Sequence, residues 1–211
     1  MKVAGELRQK KMKKMSTFFK KDPNDLGRVV SEINPENRWV LNCGLPTRKF
    51  DGTACMIKDF QLYKRYDVKK NKKTGKFKKV PDGAISCQEP DMKSGHWPHW
   101  ILCDRNNSQD KYHFEAFDNL ECKQNGTYEL CGEKVQGNPE KIKGHKLILH
   151  GSEYLNISDF SFEGLKNFLS SSKNNIEGIV FYSTDGSGRM CKIRKVDFGI
   201  KRYEKERCYG K

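Results

Sequence analysis

Short apolar and β-branched runs, set off by Gly, Pro and Asn, recur along the chain at residues 39–41, 54–57, 100–103 and 112–117. Runs of that length between turn formers predict strands. One stretch has helical spacing instead. Ser158 or Ser161 caps it, Phe162, Leu165, Phe168 and Leu169 share a face, and Lys173-Asn174-Asn175 ends it. Residues 176–182 and 190–195 then predict two strands joined through Thr184-Asp185-Gly186-Ser187-Gly188, a hairpin. No internal repeat is visible. The pattern predicts an α+β domain dominated by antiparallel strands.

Composition changes this picture in three ways. A length of 211 residues suits one domain, and twelve Phe, eight Tyr and three Trp argue for a packed core rather than a disordered chain. Asp22-Pro23-Asn24-Asp25-Leu26-Gly27 is turn chemistry, so residues 1–21 predict a basic arm or helix and residues 22–211 the domain proper. No apolar run approaches the length of a membrane span, and the basic N-terminus lacks the apolar core of a signal peptide. The expectation is an intracellular protein, cytoplasmic or nuclear, with no membrane partner and a monomeric state. Its eight cysteines include no C-x-x-C pair and read as reduced, mostly buried thiols. His96 and His99 resemble a ligand pair, but Pro98 breaks the spacing and no further ligands lie nearby, which favours a structural role.

Charge points outward. The net charge is +14, from 41 Lys and Arg against 27 Asp and Glu, which suits a polyanionic partner such as nucleic acid. Residues 64–79 hold nine bases and one acid, Asp67. This run is either a solvated face or, with the arm, a track for an RNA backbone. Trp97 and Trp100 suit core packing better than stacking on bases.

The candidate chemistry lies in an ordered set. Lys49-Phe50-Asp51-Gly52-Thr53 follows Gly44-Leu45-Pro46 where a loop passes into a strand. Tyr128-Glu129-Leu130 and Ile176-Glu177-Gly178-Ile179 each place an acid among apolar residues of a strand, and in Cys191-Lys192-Ile193-Arg194 the two bases point to one side. A lysine is a nucleophile only when neutral, a state favoured by nearby cations or burial. Lys192 and Arg194 suit phosphate oxygens as charge builds on them, and Glu177 suits a metal ion or its water shell.

In this order the motifs resemble those of the covalent nucleotidyltransferases, the superfamily of polynucleotide ligases and capping enzymes. Glu129-Leu130-Cys131-Gly132-Glu133-Lys134-Val135-Gln136-Gly137-Asn138-Pro139, Leu147-Ile148-Leu149-His150-Gly151 and Ile176-Glu177-Gly178-Ile179-Val180 narrow the likeness to small RNA ligases that join 5′-phosphate and 3′-hydroxyl ends. The resemblance spans roughly residues 40–200. It implies a nucleotidyltransferase (ATP-grasp-like) domain of antiparallel sheets with flanking helices. Lys49 matches the nucleophile that becomes AMP-lysine, with Asp51 and Gly52 completing its motif. Arg65, in Leu62-Tyr63-Lys64-Arg65-Tyr66-Asp67, matches the arginine that holds nucleotide and RNA 5′-phosphate. Glu129 matches the ribose-binding glutamate, Glu177 the metal-linked one, and Lys192 the lysine on the α-phosphate. Ile148 occupies the adenine-packing stretch. Arg194 departs from the usual lysine at its position, and the two are not interchangeable at a phosphate.

Sixteen residues follow Lys195, too few for the five strands of an OB-fold, so no C-terminal OB-fold is expected. The implied activity is an ATP-dependent RNA ligase serving RNA repair, using ATP with Mg2+ or Mn2+. Two alternatives remain at this point, a GTP-dependent capping guanylyltransferase and a non-catalytic RNA-binding protein on the same fold.

Overall fold

A computed structural model describes residues 14–92 and 94–202. Residues 1–13, most of the expected arm, and Cys208 lie outside the described residues. In chain order the strands are β1 (Phe19–Lys21), β2 (Val29–Ile33), β3 (Gly44–Lys49), β4 (Thr53–Lys58), β5 (Gln61–Lys69), β6 (Ile85–Ser86), β7 (His96–Leu102), β8 (Gly126–Gly132), β9 (His145–Leu149), β10 (Gly178–Ser183) and β11 (Met190–Arg194). Among the described residues three α-helices accompany them: α1 (Val40–Cys43), α2 (Lys111–Asp118) and α3 (Phe162–Ser170). The architecture is α+β, and every pairing between these strands is antiparallel. Among the described residues, no helix is long and apolar enough to cross a membrane.

The chain divides into two compact units. A continuous unit comprises residues 50–152 with Lys14, and a split unit comprises residues 15–49 with 153 onward. The chain therefore passes from one to the other directly after Lys49.

In the split unit the sheet order is β11-β10-β3, beside the β1-β2 pair. Alternation along β10 and β11 sends Ile179, Phe181, Cys191 and Ile193 inward, where they are fully buried with Phe18, Phe19 and Leu165 and Leu169 of α3. Ser161 is the cap of α3, its hydroxyl accepting from Gly164 N–H at 3.0 Å. The stretch expected as an arm joins this unit from residue 15 onward. Two adjacent phenylalanines, Phe18 and Phe19, gain more by burial than the neighbouring lysines gain from free solvation.

In the continuous unit the order is β6-β7-β5-β4-β8-β9. Ala116 and Phe117 of α2 cover one face of this sheet, packing on Cys55, Ile57, Leu62, Tyr128, Leu130 and Leu147. Residues 112–117, expected as a strand, are thus helical. Burial of the consecutive pair Ala116 and Phe117 follows a helix face rather than an alternating strand, and so short an apolar run fits either pattern. Residues 39–41 are corrected for the same reason, since Trp39 and Val40 are both buried where α1 begins. Trp100 is core, and Trp97 packs edge-on against Phe77 while its indole N–H donates to Gln88 O at 2.9 Å. The seven described cysteines are free thiols, five of them buried. His96 and His99, three apart on a strand, face opposite sides of β7, and the described residues contain no cluster of three or more metal-ligating side chains.

Candidate functional site

One face of the split unit's sheet is apolar and buried, which leaves the polar chemistry to the other. The register pairs Lys49 with Gly178 and Gly178 with Arg194, and two steps along it pairs Thr47 with Val180 and Val180 with Lys192. Direct partners share a face, so Lys49, Lys192 and Arg194 stand on the face opposite the core. Glu177 joins them from just before β10: Lys49 Nζ donates to Glu177 Oε2 at 2.5 Å, with both side chains about one-fifth exposed. Burial lowers the Lys192 ammonium to about 8, helped by the neighbouring charges of Arg194 and Lys49 and opposed by Glu177 and Asp197. Four ionisable groups are thereby set on one small patch of sheet.

Gly178 makes that patch possible. A Cβ there would meet Ile193 O at 2.3 Å and Arg194 Cα at 2.7 Å, both backbone atoms that cannot yield without moving β11. Gly178→Ala is therefore expected to destabilise the protein by about 2–4 kcal/mol, by the overpacking mechanism. Urea denaturation beside a surface Gly→Ala control checks it; a change below about 0.5 kcal/mol would mean that the strands part freely.

Arg194 is held by a residue that no motif marks. Asp197 is fully buried and accepts from Arg194 N–H at 2.9 Å, Arg194 Nε at 3.2 Å, Arg194 Nη2 at 3.0 Å and Lys21 Nζ at 2.8 Å. Burial raises its carboxyl pKa, but the bonds to Arg194 and Lys21 outweigh that and hold it below the usual range. A depressed carboxylate contributes stability above its unfolded value and loses it as pH falls through the folded one. Asp197→Asn is expected to cost about 3 kcal/mol at pH 7. In urea melts at several pH values, the gap from wild type should close below about pH 4. A constant gap would mean that the carboxylate's charge is irrelevant.

The face of the continuous unit's sheet opposite α2, which also buries Met56, Tyr63 and Trp100, carries the remaining candidates. The register pairs Glu129 with Ala54 and with Ile148, and Arg65 with Trp100. One step beyond the Cys55–Lys64 pair, Ala54 meets Arg65, so Arg65, Glu129 and Ile148 fall on one transverse row. The Arg65 guanidinium lies 5.1 Å from the Trp100 ring centroid and donates to Cys87 Sγ at 3.3 Å, and burial lowers its pKa. Glu129 is buried and gripped at both oxygens, by Gly52 N–H at 3.1 Å on Oε1 and by His150 Nε2 at 2.8 Å on Oε2. His150 Nδ1 in turn meets Thr127 Oγ1 at 3.0 Å. Gly52 can reach Glu129 only because it is glycine, since a Cβ would lie 2.1 Å from Leu130 O. The neighbouring Asp51 N–H donates to Glu140 Oε1 at 2.9 Å.

The chain is similar to a curated protein of Pongo abelii named RNA ligase 1, with 26% identity over 222 aligned positions that cover 74% of this chain and 67% of that protein. The likeness is to an RNA ligase. A scan against protein-family models finds no match.

Within the split unit the structure brings together Lys49, Glu177, Lys192 and Arg194. Within the continuous unit it brings together Gly52 and Glu129, with Ile148 beside Glu129 and Arg65 on the same row. Three contributors stand outside the sequence motifs' assigned residues: His150, Glu140 and Asp197. His150 lies in the same stretch as Ile148, and it follows Ile148 by two residues. Once β9 sets Ile148 opposite Glu129, His150 falls on the same side and within reach of that carboxylate.

Proposed function

We propose that the chain is an ATP-dependent RNA ligase of the covalent nucleotidyltransferase superfamily, joining 5′-phosphate and 3′-hydroxyl RNA ends. The observation that carries the reading is Lys49 Nζ held 2.5 Å from Glu177 Oε2 on a sheet face that also bears Lys192 and Arg194. The likeness to a protein named RNA ligase 1 supports it.

In the first step the Lys49 Nζ lone pair attacks the α-phosphorus of ATP. A phosphorus–nitrogen bond forms, the bond to the bridging oxygen breaks, and pyrophosphate leaves. Lys49 must lose a proton, and Glu177 Oε2 is an acceptor within hydrogen-bond distance. Lys192 and Arg194 take the charge that builds on the phosphate oxygens. The AMP then passes to the RNA 5′-phosphate, and a 3′-hydroxyl displaces it to make the phosphodiester. The resemblance assigns Glu129 to the ribose, Arg65 to nucleotide and RNA phosphate, Asp51 and Gly52 to the lysine's motif, and Ile148 to the adenine.

A magnesium or manganese ion fits Glu177, because such ions accept one or two carboxylates and complete their shell with phosphate oxygens and water. Bound there, the ion supplies charge neutralisation to the triphosphate. RNA repair is the setting such an activity serves.

The test uses α-labelled ATP or GTP with magnesium and reads label on the denatured chain. Label from ATP, and sealing of a nicked RNA bearing a 5′-phosphate, are expected. Label from GTP alone supports a capping enzyme, and no label from either nucleotide overturns the catalytic reading.

A further inference from the structure

Three lysines of the basic run at residues 64–79 line a cleft. Between the turn at residues 71–76 and the stretch formed by Met92 and residues 94–96, the continuous unit opens a cavity of about 540 Å3 whose walls include Lys69, Lys70, Lys72, Ser94 and His96. Its frame is tied by backbone bonds. Lys70 N–H donates to Gly95 O at 2.9 Å, Asn71 N–H to Lys76 O at 2.8 Å, and Gly95 N–H to Asp91 O at 2.8 Å. Asn71 Oδ1 caps the first turn by accepting from Lys73 N–H at 2.8 Å and Thr74 N–H at 3.1 Å. The lysines therefore project from a bonded scaffold.

The acids nearby are already engaged. Asp91 pairs with Lys14 at 3.3 Å, and Asp67 accepts from Trp97 N–H at 3.0 Å and meets His96 Nδ1. A neutral imidazole that donates its Nδ1–H to a carboxylate presents Nε2 as a lone pair, an acceptor fit for a hydroxyl rather than a phosphate oxygen. Three ammonium groups beside one such acceptor match a strand whose sugars carry hydroxyls between its phosphates.

We propose that this cleft binds an RNA strand, with Lys69, Lys70 and Lys72 on successive backbone phosphates and His96 Nε2 accepting a ribose 2′-hydroxyl. The inference rests on the RNA-ligase reading for its substrate and deepens it: the enzyme grips the RNA backbone outside the nucleotide-transfer chemistry and tells RNA from DNA there. Neither the three lysines nor His96 belongs to the set assigned to AMP transfer. The 2′-hydroxyl is the one group that separates the two nucleic acids at such a site.

The experiment measures binding of an RNA of about 20 nucleotides and the DNA of the same sequence, against salt, for wild type and variants of the full chain. The triple variant Lys69→Ala, Lys70→Ala, Lys72→Ala is expected to lower the slope of log affinity against log salt by about 2, since each single-strand phosphate contact contributes about 0.7. At physiological salt its RNA affinity should fall roughly tenfold or more. His96→Phe should keep the slope and narrow the preference for RNA over DNA. The triple Lys→Arg variant, which keeps the charges, should retain affinity and shows that loss in the alanine variant is not misfolding. Unchanged slope and affinity in the alanine variant overturn the cleft, as does a wild type that binds no RNA. Equal binding of RNA and DNA by wild type overturns the role of His96. Polyglutamate displacing the RNA at equal charge concentration overturns a nucleic-acid site in favour of an acidic protein partner. Lysine labelling by ATP is measured alongside. Its absence in wild type sinks the ligase reading while the RNA titration still decides the cleft, and its persistence in the alanine variant separates RNA grip from AMP transfer.

Discussion

Lys49→Arg is expected to yield a stable protein that takes up no covalent nucleotide. Arginine keeps the positive charge and enough reach to stay beside Glu177, so the pairing now seen at 2.5 Å has a substitute and the fold has no reason to loosen. What it lacks is a lone pair, because a guanidinium stays protonated at any pH the protein survives. Label from ATP should fall by more than about a thousandfold, the loss expected when a nucleophile is removed rather than a helper. The melting temperature should stay within about 2 °C of wild type. The third step needs no nucleophilic lysine, so sealing of an RNA supplied already adenylylated should survive in the variant. A labelled Lys49→Arg protein would transfer the nucleophile's role to another residue. A variant inactive on both substrates would mean that Lys49 binds the phosphate instead.

Lys49, Glu177, Lys192 and Arg194 are legible in the sequence as candidates, while the register that sets them together and the buried carboxylate that holds Arg194 are not, which follows from what spacing encodes. Alternation in 191–194 puts Lys192 and Arg194 on one side of a strand, and both stand on the face opposite the core. In 179–181 the apolar run is unbroken, so the fold rather than the pattern turns Ile179 and Phe181 to the core. Register is another matter. Nothing in the sequence says that Gly178 lies between Lys49 and Arg194, because a strand's partner is fixed by contacts far along the chain. Asp197 is hidden for a related reason. It follows the strand in a short turn, where an acid reads as solvated, and only the fold buries it between Arg194 and Lys21. The helix Lys111–Asp118 is hidden differently: the run at 112–117 is too short to choose between the two periods, and the sheet face that selects a helix is built from β4, β5, β8 and β9. The division into two units is equally hidden, since residues 15–49 and 153 onward share no local signal.

Lys192→Met is expected to make the protein more stable and nearly inert. Burial, with Arg194 and Lys49 adding repulsion, lowers the Lys192 ammonium from 10.5 to about 8. The folded state thus holds this charge less favourably than the unfolded chain does, by an amount that reaches about 3 kcal/mol as an upper bound. The direction of the shift fixes the pH window. Below about pH 8 both states carry the proton and the penalty is complete. Between about 8 and 10.5 the folded protein sheds the proton first and the wild type gains stability; above that the penalty is gone. Methionine has similar length and no charge, so Lys192→Met should gain up to about 3 kcal/mol at pH 7, with the advantage shrinking as pH rises toward about 10. Urea melts at about pH 7, 8.5 and 10 read this directly. The same substitution removes the cation that the proposed ligase mechanism places at the α-phosphate, and loss of one such stabilising group slows transfer by about a hundredfold to a thousandfold. A protein more stable and less active in one substitution is the mark of a charge kept for chemistry against the preference of the fold. If Lys192→Met is instead destabilised and labels at the wild-type rate, Lys192 is a structural residue, and the phosphate role falls to Arg194 alone.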